Sequence, residues 1–291
     1  MFKSKLSRTL VRYGIIATVP YFGLLLFVFF TQRNFIYHPS HAPLDVLTKI
    51  AAEQNFKPWQ TDSGEFIGWK HVGKSRRKHG RLLIVHGNAG SAIDRLGYAN
   101  TLTNFEPMDV YILEYPGFGA RPGSPSQQSF FAAASEAVEL LKDKGPLHIM
   151  GESLGTGVAA YIAGTYPDTI RGMLLAAPYD NFTEVAQQHM PIFPVNWMLW
   201  DRFPSESYLT NYHGPVAMLF AGEDAIVPNR FGHQLYDAYQ GPKIFWEIPG
   251  VGHNDLLDQP AAWWSDVAAF WRTNSVGTAP DPALAPSPSD Q

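Results

Sequence analysis

The stretch Leu147-His148-Ile149-Met150-Gly151-Glu152-Ser153-Leu154-Gly155-Thr156-Gly157-Val158-Ala159-Ala160-Tyr161-Ile162-Ala163 decides how this chain is read. Its first four residues form a run of the kind that makes a buried strand. Its last eight are small and suit a helix. Between them lies a G-x-S-x-G pentapeptide, Gly151 to Gly155. Glycines on either side of a serine let the backbone turn sharply from strand to helix. Such a turn lifts the serine hydroxyl above the end of a sheet. Ser153 is therefore the candidate nucleophile.

On either side of this stretch the pattern alternates. Short apolar strands are expected at 65–70, 82–85, 110–113, 173–177, 216–220 and 244–248. Helices are expected at 130–141 and 231–239, and a closing helix carries Trp264, Val267, Ala268 and Trp271 at i, i+3, i+4, i+7 spacing. Fully apolar strands alternating with helices imply an α/β fold, a mostly parallel sheet with helices on both faces.

A serine hydroxyl is a weak nucleophile. It needs a base to take its proton and a third group to hold that base. Where this kind of turn is catalytic, an acid and then a histidine follow in chain order. The acid is expected just past the strand at 216–220, where Gly222-Glu223-Asp224-Ala225-Ile226-Val227-Pro228 supplies Asp224. Glu223 adjoins it, and Asp180 is a rival after the preceding strand. The histidine is expected after the last strand, where Gly250-Val251-Gly252-His253-Asn254-Asp255 supplies His253 on a bendable loop. His213 and His233 are rivals that fall outside strand ends. Asp255 reads as a loop hydrogen-bonder and Glu152 as a residue beneath the turn whose charge bears on substrate choice. The developing oxyanion needs two backbone N–H donors. Leu154, at a helix N-terminus, supplies one. Asn88, in Val85-His86-Gly87-Asn88-Ala89-Gly90, supplies the other, and His86 shapes that loop.

Five segments occur in order: His86–Gly90, Glu114-Tyr115-Pro116-Gly117-Phe118-Gly119, Gly151–Gly155, Gly222–Asp224 with Val227-Pro228, and Gly252–Asp255. Together they resemble the α/β-hydrolase superfamily over roughly residues 34 to 273. More narrowly they are similar to its membrane-anchored hydrolase-domain members, some depalmitoylase-like and some lysophospholipase-like. The resemblance implies the α/β-hydrolase fold and a Ser-Asp-His triad. The depalmitoylase-like members carry an N-terminal cysteine cluster, and this chain has no cysteine. In this fold, insertions after the strand that follows the nucleophile helix cover the active site. Residues 181–213 stand there as a short cap, too small for a full lid, so a fairly open site is expected. Its apolar residues Ile192, Phe193 and Trp197 are the candidate pocket, although an ordinary helix packed on the sheet reads the segment equally well. Asn181-Phe182-Thr183 also matches a glycosylation sequon.

The N-terminus is distinctive. Tyr13 to Phe30 are 18 residues without a charge, and adding Thr31 and Gln32 makes the run long enough to cross a hydrocarbon core of about 30 Å. Lys3, Lys5, Arg8 and Arg12 precede it and only Arg33 follows closely. Residues 1–33 are thus expected to be a basic flank and single-pass signal anchor, with the N-terminus cytoplasmic and the catalytic domain, 34–273, on the extracytoplasmic side. A cleaved signal peptide is the competing reading, but the small-x-small cleavage pattern is missing. Residues 34–60 read as a tether with a short helix at 44–52, and Lys74-Ser75-Arg76-Arg77-Lys78 as a solvated basic loop. The Pro/Ala/Ser-rich tail, 274–291, is too poor in apolar residues to order itself.

Composition narrows the chemistry. The net charge of −4 argues against a nucleic-acid partner. Absence of cysteine removes disulfides, thiolate metal sites and a cysteine nucleophile. No metal-ligand pattern or phosphate loop is visible, and no cofactor is expected. The expectation is a membrane-anchored serine hydrolase, esterase-, lipase- or thioesterase-like, acting on acyl or lipid-like substrates. A peptidase or amidase of the same fold, or a non-catalytic binding protein, is the alternative. A haloalkane dehalogenase would need a carboxylate at position 153.

Overall fold

The computed structural model describes residues 2–73, 80–105 and 107–274. The basic loop at 74–78 and the Pro/Ala/Ser-rich tail beyond Asn274 lie outside the described residues. Eight strands form one sheet: β1 Phe56–Gln60, β2 Phe66–His71, β3 Gly80–Val85, β4 Met108–Leu113, β5 Leu147–Glu152, β6 Ile170–Ala176, β7 Val216–Ala221 and β8 Lys243–Ile248. Their order is β8-β7-β6-β5-β3-β4-β2-β1. From β8 to β4 all pairs are parallel, and β2 and β1 add on antiparallel. Crossover helices explain the parallel part, because a parallel pair cannot be joined by a tight turn.

Both faces are covered, and the strands show it residue by residue. Successive side chains point to opposite faces. Leu83, Val85 and Ile149 enter one core with α4 (Gln127–Leu141), α5 (Leu154–Thr165) and α9 (Asn229–Ala238). Leu82, Ile84 and Met150 enter the other with α2 (Leu44–Glu53), α3 (Leu96–Phe105) and α10 (Ala261–Asn274). Continuous apolar strands are the consequence of burial on two faces.

Two elements differ from the expectation. Residues 34–60 are not a tether. They hold α2 and the strand β1, in which Phe56 and Trp59 are buried three residues apart and the register shifts between Trp59 and Gln60. Pro58 and that irregularity hide the alternation that would mark a strand. Helix α1, Phe2–Ile36, runs unbroken through Pro20 and packs directly on the domain. Its segment Thr18–Ile36 is long and apolar enough to cross a membrane, and only 11% of its most apolar window is buried, unlike a core helix.

Three short helices, α6 Phe182–His189, α7 Val195–Met198 and α8 Ser205–Leu209, fill the link between β6 and β7. Asn181 of the sequon caps α6, its side chain accepting from the Thr183 N–H at 3.0 Å. Segment 190–201 of this link lies against α1. The Tyr21 hydroxyl donates to the Ile192 carbonyl at 2.7 Å. Gln32 donates to Met198 O and accepts from Trp200 N. Arg33 forks onto the buried Asp201 carboxylate at 2.8 and 3.1 Å, and the Tyr37 hydroxyl donates to the same group.

Candidate active site

Ser153 sits between β5 and α5 with φ 51° and ψ −120°. This left-handed backbone is strained for a non-glycine residue, on the order of 1–3 kcal/mol, and needs the surroundings to hold it. Two glycines make that possible. A Cβ on Gly151 would stand 2.6 Å from the Gly155 carbonyl, and one on Gly155 would stand 2.3 Å from the Val85 carbonyl. Hydrogen bonds lock the turn: Ser153 N donates to Ala176 O at 2.8 Å, and the Thr156 hydroxyl donates to Ser153 O at 2.7 Å.

Asp224 and His253 come together. His253 Nδ1 lies 2.7 Å from Asp224 Oδ2. The other Asp224 oxygen accepts from the backbone N–H groups of Ile226 and Val227 at 2.9 and 2.7 Å. The carboxylate is fully buried and held on three sides, so it fixes the imidazole through Nδ1. The rivals do not meet this arrangement. Asp180 is buried with Oδ1 unpartnered, and burial pushes its carboxyl up. His233 pairs with Glu247 at 3.1 Å, and His213 is exposed.

The backbone N–H groups of Asn88 and Leu154 donate to no protein acceptor among the described residues. Leu154 opens α5, where the helix dipole favours an anion. The Asn88 loop is held from two directions. His86 is fully buried against the rings of Tyr115 and Phe118. On the other side, Asn88 O accepts from His38 N at 2.9 Å, and the Asn88 side-chain amide donates to Ile36 O at 2.6 Å.

A cavity of about 390 Å³ opens at Ser153. Phe193, Tyr179, Val185 and Leu199 line it, together with Asn88 and Leu154. Of the expected pocket residues only Phe193 reaches it. Ile192 and Trp197 are 64% and 88% exposed and point outward, because the short cap turns only one side toward the sheet. The cavity has a wall that the cap does not supply: Val28, Gln32, Phe35 and Ile36 of α1. The site is therefore more enclosed than the length of the cap implied. These four residues stand at i, i+4, i+7, i+8, the spacing of one helix face, but in a helix apolar on every side that spacing carries no signal.

Glu152 faces away from this cavity. It lines a second, polar one of about 300 Å³ that His253, Asn254 and Asp94 also border. Arg95 forks onto its carboxylate at 2.8 and 3.0 Å, and the Tyr98 hydroxyl donates to it as well. Burial pushes the Glu152 carboxyl up, but the Arg95 charge and hydrogen bonds outweigh this and hold it below the ordinary carboxylate value. Among the described residues no cluster of three His, Cys, Asp or Glu could hold a metal ion.

Comparison with known proteins agrees with this architecture. Residues 80–206 match the model of the alpha/beta hydrolase fold family. Uncharacterized protein Rv2307c of Mycobacterium tuberculosis is 33% identical over 87% of this chain and 92% of its own length. Lysophosphatidylserine lipase ABHD12 of Danio rerio is 30% identical over 55% of this chain and 47% of its own. The crystal structure of a bacterial membrane phospholipase A shares the fold with a TM-score of 0.56 at 19% identity, covering 91% of this chain and 97% of that one. The chain belongs to the α/β-hydrolase fold family of hydrolase-domain proteins.

Proposed function

We propose that the protein is a membrane-anchored serine hydrolase that cleaves carboxylic ester or thioester bonds of acyl, lipid-like substrates. The observation that carries this reading is Ser153, held on a strained turn and lining an apolar cavity. In this reading Ser153 Oγ attacks the substrate carbonyl while His253 Nε2 takes its proton. Asp224 keeps the imidazole in the tautomer with Nδ1 protonated. The oxyanion is met by the N–H groups of Asn88 and Leu154. His253 then returns the proton to the leaving alcohol or thiol, and water, activated by the same imidazole, releases the acid from the acyl-enzyme.

A lipid-like substrate is supported by the apolar lining and by the lysophosphatidylserine lipase among the relatives. Helix α1 is the anchor in this reading. Lys3, Lys5, Arg8 and Arg12 precede its apolar run, so the N-terminus is cytoplasmic and the catalytic domain extracytoplasmic.

The test is labelling of the full chain in membranes by a fluorophosphonate probe. Wild type should label and Ser153→Ala should not; equal labelling of both would remove Ser153 from its role. Protease protection reads the topology, and a domain digested from the cytoplasmic side would reverse the orientation.

A further inference from the structure

An anchor that only held the enzyme near a bilayer would leave the active site alone. Helix α1 does not. Its inward face places Val28, Gln32, Phe35 and Ile36 in the wall of the cavity that Ser153 also lines. Val28 and Gln32 are buried there, although they stand in the part of the chain most suited to lipid. Gln32 is fully engaged: its amide nitrogen donates to Phe29 O and Met198 O, and its oxygen accepts from Trp200 N. Such a polar group in an apolar helix is tolerated because each of its atoms has a partner, and it holds the helix at one fixed rotation against the cap.

The register along α1 shows how far the cap runs beside it. Contacts with the cap run from Tyr21, on Ile192, to Arg33, on Asp201. At about 1.5 Å per residue they cover roughly 18 Å of helix. A hydrocarbon core is about 30 Å thick, so the cap stands beside much of any span that α1 makes. The outer surfaces agree. Leu26 and Phe30 of α1 and Ile192, Trp197 and Trp200 of the cap are exposed, and the edge-on contact of Phe29 with Trp200 joins the two elements.

From this geometry we infer that α1 is a substrate-selecting wall: an acyl chain enters between α1 and the cap from the lipid layer, and Val28 and Phe35 set the length that fits. A volume of about 390 Å³ is near the lower end of small-molecule cavities, roughly 300–1,000 Å³, and suits one acyl chain and not two. This deepens the esterase reading and rests on it.

The experiment uses the full chain in mixed micelles and p-nitrophenyl acetate, butyrate, octanoate, laurate and palmitate. Val28→Trp fills the wall. It should lower kcat/KM for laurate and palmitate about tenfold or more relative to that for acetate. Leu26→Trp, on the exposed face of the same helix, should leave the whole profile unchanged. An equal fall on every ester, an unchanged profile, or the same effect from Leu26→Trp would overturn the inference. If Val28→Trp does not fold, Val28→Ala decides: the optimum should move to a longer chain, and an unmoved optimum counts against the proposal. Failure of the esterase reading looks different, because wild type would then turn over none of the esters and Ser153 would not label.

Discussion

The Asn88 side-chain amide donates to the carbonyl of Ile36 at 2.6 Å, so the end of the apolar N-terminal helix is hydrogen-bonded to the loop that carries the proposed oxyanion donor. Two more bonds continue the seam, His38 N to Asn88 O and Ser40 N to Gly90 O. The backbone N–H of Asn88 is thus aimed partly by a residue 52 positions earlier in the chain.

Removing that brace should slow the chemistry more than it weakens binding. Asn88→Ala keeps the backbone donor but frees the loop. A donor displaced by a fraction of an ångström loses much of its effect, so kcat should fall about 10- to 100-fold with KM changed far less. Steady-state kinetics on a short-chain ester measure this. A larger effect on KM than on kcat would assign Asn88 to substrate binding.

Asp224→Asn should keep the geometry and lose the tautomer. His253 Nδ1 faces Oδ2 of Asp224 at 2.7 Å, and an amide presented there no longer holds the proton on Nδ1. Turnover should drop on the order of 10⁴-fold, as for the equivalent change in a serine protease. Fold should persist, because the other oxygen still accepts from Ile226 and Val227. A normal thermal melt together with the kinetic loss is the expected pair of results.

The Arg95–Glu152 pair beneath the turn is a test of stability. The Arg95 side chain is 11% exposed and that of Glu152 is 24%. Arg95→Met leaves a carboxylate with little solvent and no cation, at a cost of about 3 kcal/mol. For a domain of this size that lowers Tm by roughly 6–12 °C. Adding Glu152→Gln removes the stranded charge and should recover part of the loss, a non-additivity that a double-mutant cycle reads directly.

His148 should make the fold acid-sensitive. It lies buried in β5, stacked on Trp271, and burial lowers its pKa to about 4. The unfolded chain binds this proton near pH 6.5. Above that value neither state is protonated and stability is full. As pH falls toward 4 the unfolded state gains a proton that the folded state refuses, and about 3 kcal/mol is lost. Denaturant melts of the detergent-solubilised chain between pH 7 and 4 should show this slope, and His148→Leu should flatten it by close to one proton.

Local sequence already contained most of the proposed catalytic site. A turn is dictated by its own residues: Gly151, Ser153 and Gly155 can form a tight strand-to-helix connection wherever the flanks are apolar on one side and helix-forming on the other. Strands buried on two faces announce themselves as continuous apolar runs. Asp224 and His253 could be named because each follows a strand at the end of the sheet where Ser153 emerges. Tertiary structure alone decided what surrounds that end. Periodicity marks the buried face of a helix only when the opposite face is polar, and in α1 both are apolar, so nothing local separates Val28 from Leu26. Likewise nothing in Ile192-Phe193-Pro194-Val195-Asn196-Trp197 says which aromatic turns inward, because that follows from how the cap leans on α1. The sequence by itself determined the strand-to-helix turn at Ser153 and pointed to Asp224 and His253 as its proposed partners. The cavity they serve exists only where the N-terminal helix and the cap meet, through contacts between residues more than 160 positions apart.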